Sequence, residues 1–142
     1  MTRIINVDGA GKERSYLTKA IVAAIRELAK QKKPGVEARD LVSFIIFSLD
    51  TIAASIEISV IAWEKRDYWL KADRFRMEWA WAGNIAGKMR TALFDEDWGS
   101  IAALAAEIGQ KLAKIKVSDN NRLGTPWKGF WNIISNQAGT IT

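Results

Sequence analysis

Residues 41–63 carry apolar side chains on two neighbouring helical faces, and this segment most limits what the chain can fold into. A helix with so wide an apolar arc has to be covered on more than one side. Asp50 and Glu57 interrupt it, and a central aspartate opposes membrane insertion by about 2.5–3.5 kcal/mol. We therefore expect no membrane span, but a helix covered by its own chain on one side and by a neighbouring subunit on the other. The first stripe is Leu41, Ile45, Leu49, Ile52, Ile56 and Trp63, and the second is Val42, Ile46, Ala53 and Val60.

Three further segments repeat apolar residues at steps of three and four, which is typical of one helix face. Ser15 is a predicted N-cap for the first segment, and Pro34 and Gly35 end it because neither residue favours continuing a helix. Acidic residues at 95–97 precede the last segment, where they suit the positive end of a helix dipole. The predicted helices span about 15–33, 36–65, 68–94 and 96–116.

These segments predict a single all-α domain over residues 1–142. Four helices of comparable length with short loops favour an antiparallel up-down-up-down bundle. The residues between Trp63 and Trp69 include no Gly or Pro, so the pattern leaves open whether the chain turns at Arg66–Asp67 or continues as one helix. Residues 117–142 are expected to form a short, irregular and partly helical C-terminal appendage docked through Trp127 and its neighbours. The second apolar stripe predicts that the bundle oligomerises.

The chain contains no Cys and no His, which excludes disulfides, thiolate and imidazole metal sites and Ser-His catalysis. The run from Asp8 to Lys12 lacks the spacing and the hydroxyl of a phosphate-binding loop, so we expect a flexible lead-in. No charged segment followed by an apolar run opens the chain, which favours a cytoplasmic protein.

Asp50, Glu57 and Glu64 recur every seven residues and so share one helix face. A carboxylate metal site is one interpretation, but no second helix supplies carboxylates at matching spacing. We expect ion pairs with the adjacent helix instead, and we predict no catalytic residue, no metal and no cofactor. The expected cationic partner is Lys71, Arg74 or Arg76.

Positive charge is concentrated in residues 12–33, whose seven basic and two acidic residues account for the net charge of +5. Such asymmetry suits a polyanionic partner, although a merely solvated face is the alternative. Farther along, Arg74, Trp81 and Lys88 recur at heptad spacing, and cations beside an aromatic ring suit a phosphate backbone with a stacked base. Trp81 could instead fill a subunit contact. The candidate nucleic-acid-binding residues are Lys19, Arg26, Lys30, Lys32, Lys33, Lys71, Arg74, Trp81 and Lys88.

Two short motifs carry a family resemblance. Tyr68 precedes Lys71, Ala72 and Asp73, with the aromatic Phe75 and Trp79 following, and the run AEIGQKL occupies residues 106–112. Over residues 13–116 the chain resembles the four-helix family of ribosomal RNA intervening-sequence proteins and accessory variability determinants of diversity-generating retroelements. The resemblance implies a ring- or barrel-like homopentamer with a basic surface and no catalytic activity of its own. In the retroelement branch, it implies binding to a reverse transcriptase and its template RNA.

The leading hypothesis is therefore a non-enzymatic oligomeric subunit that binds RNA, or an RNA/DNA hybrid, beside a reverse transcriptase. An alternative is a small helical subunit of another nucleoprotein complex, such as a CRISPR effector. A carboxylate-metal enzyme is a more distant alternative.

Overall fold

A computed structural model describes the backbone of residues 7–140 and the side chains of residues 9–136. All regular structure in this range is helical, with no strand, so the all-α prediction is confirmed. There are five helices in the described range: α1 (Val7–Ala29), α2 (Val36–Glu64), α3 (Trp69–Phe94), α4 (Trp98–Lys111) and α5 (Phe130–Thr140).

Helix α1 begins at Val7, so the predicted N-cap at Ser15 is wrong. The run from Asp8 to Lys12, which was expected to be a flexible lead-in, is helical. Glycine in a helix interior costs about 0.5–1 kcal/mol relative to alanine, which argued against this extension. Burial offsets that cost, because Ala10 and Leu17 lie one above the other on the buried face, with exposures of 0% and 5%.

Helix α2 is the centre of the fold and packs against α1, α3 and α5. Three members of its second apolar stripe, Val42, Ile46 and Val60, are fully buried within this chain, and Ala53 is partly buried. For those three residues the expectation that a neighbouring subunit covers the stripe is wrong, since the chain's own helices cover them. Helix α2 is also long and apolar enough to cross a membrane, and 56% of its most apolar window is buried inside the structure.

The chain turns between α2 and α3, which answers the question that the sequence left open. Asp67 takes a left-handed backbone conformation with φ of 62°, and the Tyr68 N–H donates to the Trp63 carbonyl at 2.9 Å. Helix α3 then runs back along α2, so that Phe75 meets Trp63 edge-on with ring centroids 4.9 Å apart.

Helix α4 is shorter than the predicted 96–116 and packs mainly against α3. Asp97 caps its N-terminus by accepting the Ser100 N–H at 3.1 Å. The helix ends at Lys111, and the chain beyond it continues irregularly, past Val117 and Asp119, toward α5.

The C-terminal segment is held to the body of the protein by polar bonds as well as by apolar packing. Both Asp40 carboxylate oxygens accept backbone N–H groups, from Gly129 at 3.0 Å and Trp131 at 2.9 Å. Phe130 packs edge-on against Phe44 at 5.2 Å, and Trp127 is only 6% exposed. The segment was expected to be docked and partly helical, and these contacts stabilise its helical part, Phe130–Thr140.

Candidate nucleic-acid interface

The loop between α1 and α2 presents Lys32 and Lys33 to solvent at one end of the molecule. Gln31 N–H donates to the Leu28 carbonyl and Gly35 N–H to the Lys33 carbonyl, so the loop is a sequence of tight turns. Trp98, at the start of α4, lines the same cleft of about 220 Å³ as these lysines. We call this the Lys33 cleft; its lining includes Leu28, Lys32, Lys33, Pro34, Trp98 and Ile101.

The two loop lysines, like Lys19 of α1, form no ion pair within the described part of the chain, whereas Arg26 and Lys30 do. Lys30 pairs with Glu27 at 3.2 Å. Lys19 is exposed about two helical turns before Arg26, away from the loop.

Arg26 has a structural role that the sequence did not indicate. Its guanidinium donates to the Val117 carbonyl at 2.8 Å and to the Asp119 carboxylate at 3.2 Å. These bonds hold the irregular segment that follows α4 against α1. The donors that were predicted to meet phosphate therefore meet the chain's own C-terminal segment.

The predicted residues of α3 do not form one patch. Lys71 and Arg74 lie near its first turn, whereas Lys88 lies about 25 Å from Lys71 along the helix, beside Asp95 and Asp97 in another cleft. Trp81 is half-buried and stacks on Trp79, with centroids 5.8 Å apart and planes at 25°. Its stacking partner is thus within the same helix.

Aromatic rings and cations instead come together at the α2–α3 turn, around a cleft of about 600 Å³. We call this the Trp63 cleft; its lining includes Trp63, Tyr68, Trp69, Lys71, Arg74 and Phe75. The Lys71 ammonium lies 4.5 Å from the centre of the Trp63 ring. Tyr68 and Trp69 are 53% and 56% exposed. The signal in the sequence was the pair of aromatics next to a basic residue, but periodicity could not place the turn.

Behind this cleft, Arg14 of α1 supports the aromatic cluster. Its guanidinium lies 4.9 Å from the Phe75 ring centre and donates to the Ser55 hydroxyl at 3.1 Å. Burial lowers the Arg14 pKa from its ordinary value, because loss of water disfavours the charged form. Arg14 thus fixes Phe75 and, through it, the Trp63 ring.

The acidic stripe of α2 pairs with arginines of α3. Glu57 accepts from Arg76 at 3.1 Å, with Glu64 3.8 Å from the same guanidinium, so the prediction of Arg76 as a partner is confirmed. The hydrogen bond to Glu57, together with the nearby carboxylates, raises the Arg76 pKa. Asp50 pairs at 2.9 Å with Arg90, which the sequence analysis did not name. Within the described residues, no three acidic side chains are grouped so that they could hold a metal ion.

Comparison with known proteins adds no identification: no family model, curated protein or solved structure matches this chain. The resemblance carried by residues 68–79 and 106–112 therefore enters the functional argument as a proposal.

Proposed function

We propose that this protein is a non-enzymatic, oligomeric accessory subunit that binds RNA, or an RNA/DNA hybrid, next to a reverse transcriptase. The observation that carries the nucleic-acid part is the Lys33 cleft. Two lysines without ion-pair partners among the described residues lie there on an exposed loop, in a cleft that a half-buried tryptophan also lines.

Phosphate binding explains this arrangement better than stability does. The negative end of the α1 dipole favours one nearby cation, and Lys30, paired with Glu27, already lies there. Lys32 and Lys33 contribute positive charge beyond this need. Each phosphate that a lysine neutralises releases condensed counterions, which is a main source of affinity for nucleic acid.

The proposed architecture is an up-down-up-down bundle of α1–α4 with α5 as an appendage, assembled into a homopentamer. Antiparallel packing of α2 and α3 supports the topology. Met77, which is 71% exposed on α3, supplies apolar surface for a second copy. The five-fold assembly, the cytoplasmic location and the reverse transcriptase partner rest on the sequence resemblance and composition, and light scattering after gel filtration tests the assembly.

A salt series with a charge-matched control tests RNA binding. Lys32→Gln with Lys33→Gln removes two cations of the cleft, whereas Lys114→Gln with Lys116→Gln removes two exposed cations after α4. For single-stranded RNA, each lost phosphate contact makes the slope of log K against log salt shallower by about 0.7. We expect a change of about 1.4 for the cleft pair and none for the control pair. Equal slopes for both double variants would contradict the assignment.

A further inference from the structure

We infer that the Trp63 cleft is a second nucleic-acid site, which holds one unpaired nucleotide with its base stacked on an exposed aromatic ring. This inference rests on the proposed function and names what the cleft would recognise. The Lys33 cleft lies at the opposite end of α2, roughly 40 Å away by helical rise, so the two sites are separate surfaces.

The rings of Tyr68 and Trp69 suit a nucleobase. Both are more than half exposed, and neither stacks on another aromatic ring within the described part of the chain. Trp81, the stacking residue that the sequence suggested, already stacks on Trp79. The rings of Tyr68 and Trp69 line a cleft whose volume is about 600 Å³. This volume falls within the range of small-molecule sites, roughly 300–1,000 Å³.

The cations of the cleft are placed for the attached phosphate. Lys71 is held over the face of Trp63, so its ammonium is positioned before any ligand arrives. Arg74 lies one turn farther along α3 and lines the same cleft. Neither cation forms an ion pair in the described residues, and both therefore keep their donors free for an anion.

Two carboxylates also line the cleft, and they oppose a ligand that is anionic throughout. Asp67 lies in the turn and Glu78 lies one turn beyond Arg74. Ionised carboxylates accept hydrogen bonds only, and the edges of nucleobases offer N–H donors. A nucleotide carries both chemistries, since its phosphate meets Lys71 and Arg74 while its base edge meets an acceptor.

The test compares binding of labelled oligo(rA) with binding of an abasic strand of the same length, by fluorescence anisotropy at fixed salt. The parent should bind oligo(rA) more tightly than the abasic strand. Trp69→Ala should weaken oligo(rA) binding about 5- to 150-fold, equivalent to about 1–3 kcal/mol of stacking, and should leave abasic binding unchanged. Trp69→Phe, which keeps an aromatic face, should restore most of the affinity.

Tyr16→Ala is the control, because Tyr16 is a 45% exposed aromatic residue of α1 that does not line the cleft. Helical circular dichroism checks the folding of each variant. Equal affinity of the parent for both strands, with a salt slope that still depends on Lys32 and Lys33, would overturn this site and leave the proposed function standing. An unchanged preference for oligo(rA) in Trp69→Ala would also overturn it. Failure of the parent to bind either strand would overturn both proposals.

Discussion

The hydrogen bonds that Asp40 accepts lead to a quantitative prediction about the C-terminal segment. Its carboxylate is buried, with the residue only 8% exposed, and its two oxygens accept the N–H groups of Gly129 and Trp131 at the start of α5. Asp40→Asn keeps one oxygen acceptor and turns an amide donor toward the other N–H group. A hydrogen bond to a charged group contributes about 1.5–3 kcal/mol, and an unpaired buried donor adds to the loss. We therefore expect the free energy of unfolding to fall by about 2–4 kcal/mol.

Urea denaturation measures this change, and hydrogen exchange shows where it acts. In the parent, the amides of Gly129 and Trp131 should exchange slowly, and in Asp40→Asn they should exchange much faster than amides in the middle of α2. Asp119→Asn is the matched control, because the Asp119 side chain is 95% exposed and pairs with Arg26 at the surface. We expect no measurable loss of stability there. Equal stability of Asp40→Asn and the parent, with unchanged exchange at residues 129–131, would refute the reasoning.

Two further predictions concern helix ends. The Ser100 hydroxyl and then its backbone N–H lower the Asp97 pKa, so the capping contribution is present above the ordinary carboxyl pKa and disappears as pH falls through the lowered value. Thermal melts from pH 7 to pH 2 should show a smaller acid-induced loss for Asp97→Asn than for the parent, and parallel curves would contradict this. Gly11→Ala should stabilise α1 by about 0.5–1 kcal/mol, because the added methyl meets only Arg14 at ordinary contact distance, 3.9 Å. An unchanged melting temperature would mean that α1 does not extend through Gly11.

The helices that local sequence determines were predicted most accurately. Helix α2 spans Val36–Glu64 against the predicted 36–65, because Pro34 and Gly35 break the chain and the apolar period is regular. Helix α3 spans Trp69–Phe94 against 68–94 because its apolar period is regular, although no Gly or Pro marks where it begins. The start of α1 and the whole of α5 depend on tertiary contacts, which no local pattern contains. Examples are the hydrogen bonds that Asp40 accepts from Gly129 and Trp131, which lie 89 and 91 positions later in the sequence.

The residues of the candidate sites also divide into those that the local sequence indicated and those that depend on tertiary contacts. The sequence located the basic residues, and Lys32 and Lys33 are exposed as a charged loop would be. It could not show that Arg26 is occupied by a segment some 90 residues later, since that bond joins distant parts of the chain. Nor could it place Trp69 beside Trp63 without knowing where the chain turns.

The most direct test of the central claim is to map where RNA lies on the unmodified protein. Ultraviolet crosslinking to single-stranded RNA, followed by mass spectrometry of the peptides, reports the contacts without any substitution. We predict crosslinks in the loop at residues 30–35, at Trp98, and at Tyr68 or Trp69. Crosslinks confined to the exposed lysines at 111–116, or no crosslinks at RNA concentrations that saturate binding, would contradict the account.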